Sequence, residues 1–514
     1  MKKKRILWAD DEIDILRSHI LFLQEKGYEV TPVNSGQDAI DSFREEVFDI
    51  VFLDENMPGL TGLETLRAIK ETDPNVPVIM ITKSEDEGIM TDAIGKKIAD
   101  YLIKPVNPNQ ILLSIKKNLH KDDIVSEATL EGYREEFSKI SARLNDSLDY
   151  REWIDIYKKL IYWERELTAS QSPLLDLIRV QKEEANNSFC KFVKKNYESW
   201  LQSPEDRPLI SPEIFPKKIL PLLDNEERIF FVLIDNFRLD QWWEVKDLLA
   251  GDFTITEDEY FSILPTATQY ARNAIFSGLM PAQIAKNYPD YWVEEGDEES
   301  KNQHEEALLH TLMDRYRKNY SLSYNKLMSS SAGGKLIQNM NTLNGKQLNV
   351  VVINFVDMLS HARTESKMIR ELASDEAAYR SLTRSWFKHS STMDIIKKAA
   401  EMDYKIILTT DHGTIRVKKP IKVIGDKSIN SNIRYKVGRN IEFDRKKVYD
   451  IHSPEKFGLP APNISTKYIF ATGDEFFAYP NNYNHYASYY TDTFQHGGIS
   501  MEEMIVPIIT MTAK

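Results

Sequence analysis

Short apolar segments alternate with amphipathic segments at the start of this chain, and this pattern constrains the fold most. Residues 1–120 show it five times. The predicted strands are 6–8, 29–30, 49–53, 78–81 and 101–103, and the predicted helices are 12–26, 36–46, 62–70, 86–95 and 108–120. Five such repeats predict a doubly wound parallel sheet of the α/β class, with its functional site at the carboxyl ends of the strands.

The pattern changes twice in the rest of the chain. Residues 121–207 contain few Gly or Pro, many charges and apolar residues at helical spacing, which predicts a helical-bundle connector. Apolar strands return at 230–234, 350–355 and 405–409, and a polar or acidic residue follows each of them. A length of 514 residues also requires more than one core. We therefore predict three domains: 1–120, 121–207 and an α/β domain at 208–514.

Composition limits the compartment and the partners. The apolar content of 42% is typical of folded globular proteins, and the apolar run at the amino terminus is too short for a signal peptide. No apolar stretch is long enough to cross a membrane, and a single cysteine fits a reducing compartment, so we expect a cytoplasmic protein. The net charge of −13 argues against nonspecific binding to duplex DNA.

Polar residues follow four strands of the first domain. Asp10 and Asp11 follow strand one, Asp54 follows strand three and Lys104 follows strand five. Three carboxylates at one sheet edge can hold Mg²⁺, and a lysine beside them can pair with a phosphoryl group on the third. The candidate switch residues are Thr82, which ends strand four and can hydrogen-bond that phosphoryl group, and Tyr101 on strand five.

These positions closely resemble the CheY-like receiver family, including Asn56-Met57-Pro58-Gly59 after Asp54 and Lys104-Pro105. The resemblance implies phosphorylation of Asp54 by a sensor histidine kinase. It also implies Mg²⁺ on Asp10, Asp11, Asp54 and the Asn56 backbone, and a cis bond before Pro105. A dimer formed on phosphorylation through helix four, strand five and helix five is implied as well.

Acids and histidines are placed at loops of the last domain. Asp235 ends one strand, a Pro-Thr-Ala-Thr segment covers 265–268, and the other candidates are Asp357, His361, Asp411, His412 and His496. Three His and three Asp suit two zinc ions, which together can hold both oxygens of an in-line phosphoryl transfer. Thr268 needs such a metal because a free hydroxyl is a weak nucleophile at neutral pH.

This set resembles the alkaline phosphatase superfamily, in particular its PglZ-type and nucleotide phosphodiesterase-like branches. The resemblance implies that Thr268 is the nucleophile. One zinc is then held by Asp357, His361 and His496, and the second by Asp235, Asp411 and His412. A ligand for a third, Mg²⁺-like site is not evident, which favours diesterase over monoesterase chemistry.

The order of the three parts resembles PorX-type response regulators, which are associated with type IX secretion in Bacteroidota. It implies a phosphorylation-controlled, zinc-dependent phosphodiesterase. The alternative is a signalling scaffold whose metal domain docks a sigma factor or a secretion component. The sequence leaves open the natural substrate, the kinase and the downstream partner.

A basic segment follows the Asp411-His412-Gly413 motif. Residues 415–447 hold eleven basic side chains against three acidic ones, with aromatics among them. Such a segment is usually a solvated face, but its position beside a metal ligand favours substrate binding. We predict that Arg434, Lys436 and Arg439 bind a nucleotide or oligonucleotide diester. His485, in a tyrosine-rich stretch, is a further candidate contact.

Overall fold

The computed structural model describes residues 3–82, 98–119, 121–203, 205–295, 300–425 and 430–514. The chain forms two compact units, Met1–Arg134 and Glu135–Lys514. The division falls inside a helix of the predicted connector, so most of the connector belongs to the same unit as the α/β domain that follows. Among the described residues, no helix has the length and apolar character needed to cross a membrane.

The first unit contains the predicted parallel sheet. Its strands are β1 (Arg5–Ala9), β2 (Glu29–Val33), β3 (Ile50–Asp54), β4 (Val78–Thr82) and β5 (Asp100–Ile103), in the order β2-β1-β3-β4-β5. Its helices are α1 (Arg17–Glu25), α2 (Gly36–Glu45), α3 (Gly62–Thr72) and α4 (Pro108–Leu119). An apolar core covers each face of the sheet, as expected for strands buried on both sides.

The predictions made for this unit have different outcomes. The cis peptide bond before Pro105 is confirmed. The predicted helix 86–95 lies outside the described residues. The predicted helix 12–26 begins as a 3-10 turn over Ile13–Leu16, and α1 starts only at Arg17. The α/β class and the doubly wound topology are confirmed by the strand order.

Three helices form the connector: α5 (Lys121–Arg143), α6 (Tyr150–Ala169) and α7 (Leu175–Gln202). Asp149 caps α6, because its carboxylate accepts the Glu152 backbone N–H and the Glu152 side chain accepts the Asp149 N–H. The stripe of apolar residues predicted on α6 is buried. A helical connector is therefore confirmed.

The second unit is built on a mixed six-stranded sheet. The strands of the unit are β6 (Ile229–Ile234), β7 (Phe253–Phe261), β8 (Leu322–Leu327), β9 (Leu348–Ile353), β10 (Lys405–Thr409), β11 (Ile415–Arg416), β12 (Lys419–Lys422), β13 (Tyr435–Gly438), β14 (Tyr449–Ile451), β15 (Lys467–Phe470), β16 (Glu475–Ala478), β17 (Phe494–Gln495) and β18 (Ile505–Ala513). The sheet order is β7-β18-β10-β6-β9-β8. Strands β10, β6, β9 and β8 are parallel, so their carboxyl ends meet at one edge.

Helices surround this sheet. They are α8 (Leu220–Asp224), α9 (Leu239–Val245), α10 (Thr268–Ser277), α11 (Pro281–Asn287), α12 (Glu305–Arg315), α13 (Ser330–Asn339), α14 (Phe355–Glu365), α15 (Lys367–Leu372), α16 (Glu376–His389), α17 (Ser391–Glu401), α18 (Tyr483–Tyr490) and α19 (Met501–Met504). Strands β11 to β17 form three small sheets outside the main one. The basic segment that was predicted as a loop therefore contains strands β11, β12 and β13.

Candidate functional site

Thr268 is the first residue of α10, and hydrogen bonds hold the loop that precedes it. The loop contains a cis bond between Leu264 and Pro265. The Leu264 N–H donates to the Tyr197 hydroxyl at 2.8 Å, and the Thr266 hydroxyl donates to the Gly498 carbonyl at 2.8 Å. The amino end of a helix presents free N–H groups and favours an anion. Thr268 is thus held where a phosphate can approach it.

The first candidate metal cluster is buried beside Thr268. Asp235 follows β6, and Asp411 and His412 follow β10; one ligand atom from each lies within 4.8 Å of the others. The Thr268 Oγ1 atom is 3.1 Å from His412 Nε2 and 3.4 Å from Asp235 Oδ1. The three predicted ligands and the predicted nucleophile are therefore in contact.

The second candidate cluster is more open. Asp357 and His361 lie one turn apart on α14, which places both on the same face, and His496 follows β17. Asp357 Oδ2 is 3.4 Å from His361 Nε2, and Asp357 Oδ1 is 3.7 Å from His496 Nε2. The His361 side chain is 60% exposed, whereas that of Asp357 is 18% exposed. This cluster therefore faces a solvent-accessible cleft.

Hydrogen bonds fix the orientation of two imidazoles. His412 Nδ1 is 3.1 Å from the Gly413 carbonyl, and His496 Nδ1 is 3.1 Å from the Thr266 carbonyl. A carbonyl only accepts, so Nδ1 donates and Nε2 keeps its lone pair, which is the arrangement that metal-binding histidines show. The two rings stack with centroids 4.2 Å apart, so the two clusters adjoin. The donor set and its tautomers fit two metal ions.

The three residues of the open cluster differ in the direction of their pKa shifts. Burial, together with the neighbouring His412, lowers the pKa of His496 to about 3, so its imidazole is neutral at pH 7. The hydrogen bond that His361 donates to the Asp357 carboxylate raises the pKa of His361, so this imidazole must lose its proton before it can bind a metal. Burial opposes ionisation of Asp357, but the nearby imidazoles outweigh it and lower the pKa of this carboxyl. A neutral imidazole beside a carboxylate is the form that binds a metal.

The cleft over Thr268 encloses about 440 Å³. Its wall contains the two histidines of the open cluster together with amides and tyrosines; among the lining residues are Thr268, His361, His496, Asn430, Asn432, Tyr435, Tyr489 and Tyr490. A volume of this size accommodates a small ligand or one end of a polymer.

Two of the three predicted substrate-binding cations are buried. The Arg434 side chain is 0% exposed and pairs with Glu503 at 2.6 Å. Lys436 is also buried, and its Nζ donates to the Asn430 carbonyl at 2.8 Å. Burial contradicts the prediction that these two residues bind the substrate, because both side chains point into the unit and neither lines the cleft.

The remaining two predicted contacts are exposed. Arg439 lies just beyond β13, and His485 lies on α18 with its ring stacked on Tyr489 at 6.2 Å. Tyr489 lines the cleft, and His485 is outside its described lining. The tyrosine-rich stretch forms helix α18. Tyr489 and Tyr490 are the residues of this helix that line the cleft.

One buried residue of the site was not predicted. Arg272 lies one turn after Thr268 on α10, is 0% exposed and pairs with both Asp235 and Asp411. The only signal in the sequence was the four-residue spacing from Thr268, which places both residues on one helix face. Arginine is common on exposed helix faces, so this spacing alone does not distinguish a solvent-exposed arginine from one that pairs with the carboxylates of the site.

The receiver site brings its carboxylates together. Asp10, Asp11 and Asp54 have one oxygen each within 4.8 Å of the others, the arrangement expected for a divalent cation. Lys104 Nζ is 2.8 Å from Asp10 Oδ2 and 2.8 Å from Asp54 Oδ1. Burial raises the pKa of Asp54, and Lys104 opposes this shift.

The other receiver residues lie around this site. Thr82 is buried at the end of β4, and its hydroxyl donates to the Glu55 carboxylate. Tyr101 on β5 is half-buried, and Asn56 is exposed in the loop after β3. Their predicted roles in binding a phosphoryl group and Mg²⁺ stay predictions.

Family models match three consecutive parts of the chain. Residues 214–511 match the BREX system PglZ alkaline phosphatase-like domain, which is more than half of the chain. Residues 123–201 match the PorX response regulator linker domain, and residues 6–116 match the response regulator receiver domain.

Curated relatives share a shorter stretch. The alginate biosynthesis transcriptional regulatory protein AlgB of Pseudomonas syringae is 36% identical over 115 residues, 22% of this chain and 26% of the relative. The transcriptional regulatory protein ResD of Bacillus subtilis is 32% identical over 117 residues, 23% of this chain and 48% of the relative. The chain thus spans less than half the length of either relative.

Among solved structures, a CheY-like receiver domain protein from Methanospirillum hungatei is 29% identical. That match has a TM-score of 0.23 and covers 23% of this chain and 96% of the other.

Proposed function

The chain belongs to the family of PorX-type response regulators with a PglZ alkaline phosphatase-like domain, and on that premise we propose that it is a zinc-dependent phosphodiesterase controlled by phosphorylation. The receiver domain implies a phosphorylating sensor kinase as a partner. The match to the PglZ model supports the phosphoesterase superfamily, and the diesterase activity and the zinc are our proposal.

The observation that carries the proposal is the contact of Thr268 with the buried cluster, 3.1 Å from His412 Nε2. The Thr268 hydroxyl oxygen attacks phosphorus and gives up its proton to water, the bond from phosphorus to the leaving oxygen breaks, and the leaving alkoxide takes up a proton from water to become the alcohol. Water then displaces the threonine oxygen and restores the hydroxyl. Two bound zinc ions would supply Lewis-acid stabilisation of the attacking and leaving oxygens.

The substrate class we propose is a nucleotide or oligonucleotide diester. The residues that line the cleft support this substrate class, whereas the basic segment does not. Tyr489 and Tyr490 line it, and aromatic rings stack on bases with little sequence preference. The amides of Asn430 and Asn432 supply hydrogen-bonding groups. From the family match we also propose a role in type IX secretion.

The test is hydrolysis of an oligonucleotide and of bis(p-nitrophenyl) phosphate by the zinc-loaded full chain. Thr268→Ala should keep the fold and both zinc ions and lose activity on both substrates, by about 1,000-fold or more, because the nucleophile is removed. Thr342→Ala, at an exposed threonine outside the cleft, is the matched control. Wild-type protein that holds no zinc, or full activity in Thr268→Ala, contradicts the proposal and favours the scaffold alternative.

A further inference from the structure

Arg272 contacts both carboxylates of the buried cluster at once. Its Nε donates to Asp411 Oδ2 at 2.9 Å, and its Nη2 forms an ion pair with Asp235 Oδ2. Because the guanidinium is planar and rigid, two such contacts fix the relative orientation of the two carboxylates. Arg272, Asp235 and Asp411 are all buried, so both contacts are shielded from solvent.

The guanidinium is itself fixed from its other side. Nη1 lies 3.3 Å from Glu305 Oε1 on α12. The second oxygen of Glu305 accepts from Lys326 Nζ at 2.9 Å and from the Tyr324 hydroxyl. Strand β8 and helix α12 thus support α10 through a continuous chain of charged hydrogen bonds, and Arg272 has little freedom to move.

This arrangement assigns separate tasks to the two oxygens of Asp235. Oδ2 faces Arg272, whereas Oδ1 faces Thr268 at 3.4 Å and His412 Nε2 at 3.8 Å. A carboxylate held by one oxygen presents the other in a defined direction. Arg272 therefore directs an oxygen of Asp235 toward the position shared by the nucleophile and the imidazole.

Charge gives a second reason for an arginine here. Asp235, Asp411 and Glu305 are three carboxylates in a buried space, and uncompensated buried charges are strongly unfavourable. Arg272 contacts all three, and Lys326 contacts only Glu305. A guanidinium stays protonated even when buried, so it can serve as a permanent cation.

We propose that Arg272 is a positioning residue that acts as a built-in cation: it orients Asp235 and Asp411 for the buried ion and occupies the place where a further divalent cation would otherwise join Asp235 and Glu305. This inference rests on the proposed metal-dependent function. On this proposal, the wild-type protein binds no further divalent cation between Asp235 and Glu305.

The first experiment measures zinc directly, without relying on turnover. Zinc content and zinc affinity of the full chain are determined by elemental analysis and by competition with a chromogenic chelator. Arg272→Met should weaken one of the two zinc sites by about 10- to 100-fold, because supporting contacts of metal ligands contribute on this scale. Arg272→Lys keeps the charge but not the planar fork, and its loss should be smaller than that of the methionine variant.

The second experiment tests the cation role. Arg272→Ala opens space between Asp235 and Glu305, so millimolar Mg²⁺ or Mn²⁺ should raise its unfolding temperature and restore its zinc affinity, with no such effect on the wild type. Arg315→Met is the matched control, since Arg315 donates to the Ser277 carbonyl at the far end of α10.

The outcomes separate the two claims. Absence of zinc in the wild type overturns the proposed function. Two tightly held zinc ions in the wild type and unchanged affinity in Arg272→Lys and Arg272→Met overturn the positioning role alone. If the methionine and alanine variants do not fold, the lysine variant decides, and wild-type zinc affinity in that variant refutes the proposal.

Discussion

At the scale of single residues, Lys436 is a cation in an unfavourable buried environment. Its ammonium group is buried, donates to the Asn430 carbonyl at 2.8 Å and lies 4.6 Å from the centre of the Tyr479 ring. Burial lowers the pKa of Lys436 from 10.5 to about 8, with Glu295 opposing the shift. A depression of this size corresponds to about 3 kcal/mol of lost stability when the group is charged.

Lys436→Met should therefore raise the unfolding temperature at pH 7 by a few degrees, even after the loss of one hydrogen bond. The folded pKa lies below the unfolded one, so the unfolded chain binds more protons between pH 8 and 10.5. Wild-type stability consequently rises through that range, and the advantage of methionine should shrink from pH 7 to pH 9.5. Thermal unfolding at both pH values measures this, with the exposed Lys447→Met as control. An advantage independent of pH would show that burial of the charge is not its cause.

The same residue shows why part of the site could not be predicted. Charge density along 415–447 is visible in the sequence, but the direction of each side chain depends on strand β13 and its pairing with β15. Arg434 meets Glu503 across 69 positions of the chain. A contact of that separation leaves no local pattern, so buried and exposed cations in this segment looked alike.

At the scale of secondary structure, the connector helix α7 contacts loops of the candidate site. Asn186 on this helix donates from its Nδ2 to Glu502 Oε2 at 2.9 Å and accepts the Met501 N–H at 2.8 Å. Tyr197, further along α7, accepts the Leu264 N–H in the loop before Thr268. The helix is therefore a structural part of the same unit and more than a spacer.

Removal of the Asn186 amide should destabilise this unit. Asn186→Ala leaves a buried carboxylate oxygen and a buried N–H without their partner, which costs about 2 to 4 kcal/mol. The adjacent Asn187 is exposed, so Asn187→Ala is a matched control that should stay within about 0.5 kcal/mol of wild type. Urea unfolding followed by tryptophan fluorescence compares the three proteins. Equal midpoints for the two variants would mean that α7 does not brace the loop through this residue.

Element types were predicted well where the sequence repeats locally. The β/α alternation of the first unit and the apolar stripe of α6 were visible because both depend on spacing within one segment. The strand ends also located the predicted metal ligands, since parallel strands such as β6 and β10 bring their carboxyl ends to one edge. The contact of α7 with the loop at 499–502 connects segments about 300 residues apart and carried no such signal.

At the scale of the whole molecule, a receiver domain and a PglZ alkaline phosphatase-like domain occur in one chain, and we propose that phosphorylation of the receiver controls the other domain. Lys104 now pairs with Asp54, and Thr82 donates to Glu55. A phosphoryl group on Asp54 adds oxygens that compete for both side chains. We propose that Lys104 and Thr82 exchange their present partners for the phosphoryl group, which would constitute a local switch.

We therefore expect beryllofluoride with Mg²⁺, which mimics the acyl phosphate, to shift the full chain from monomer to dimer. Light scattering at several protein concentrations measures the mass, and Asp54→Ala should remain monomeric because the acceptor carboxylate is gone. Thr82→Ala separates binding of the phosphoryl mimic from the structural change that follows it. This variant keeps Asp54 and Lys104 but lacks the hydroxyl that would move to the phosphoryl group. That variant should bind beryllofluoride and dimerise less than wild type. An equal shift in wild type and Asp54→Ala would exclude this carboxylate as the control point.

Hydrolysis rates measured above and below the dimerisation concentration then show whether the dimer or the phosphorylated monomer is the active form. At constant beryllofluoride, the activity per chain rises with protein concentration only if the dimer is required.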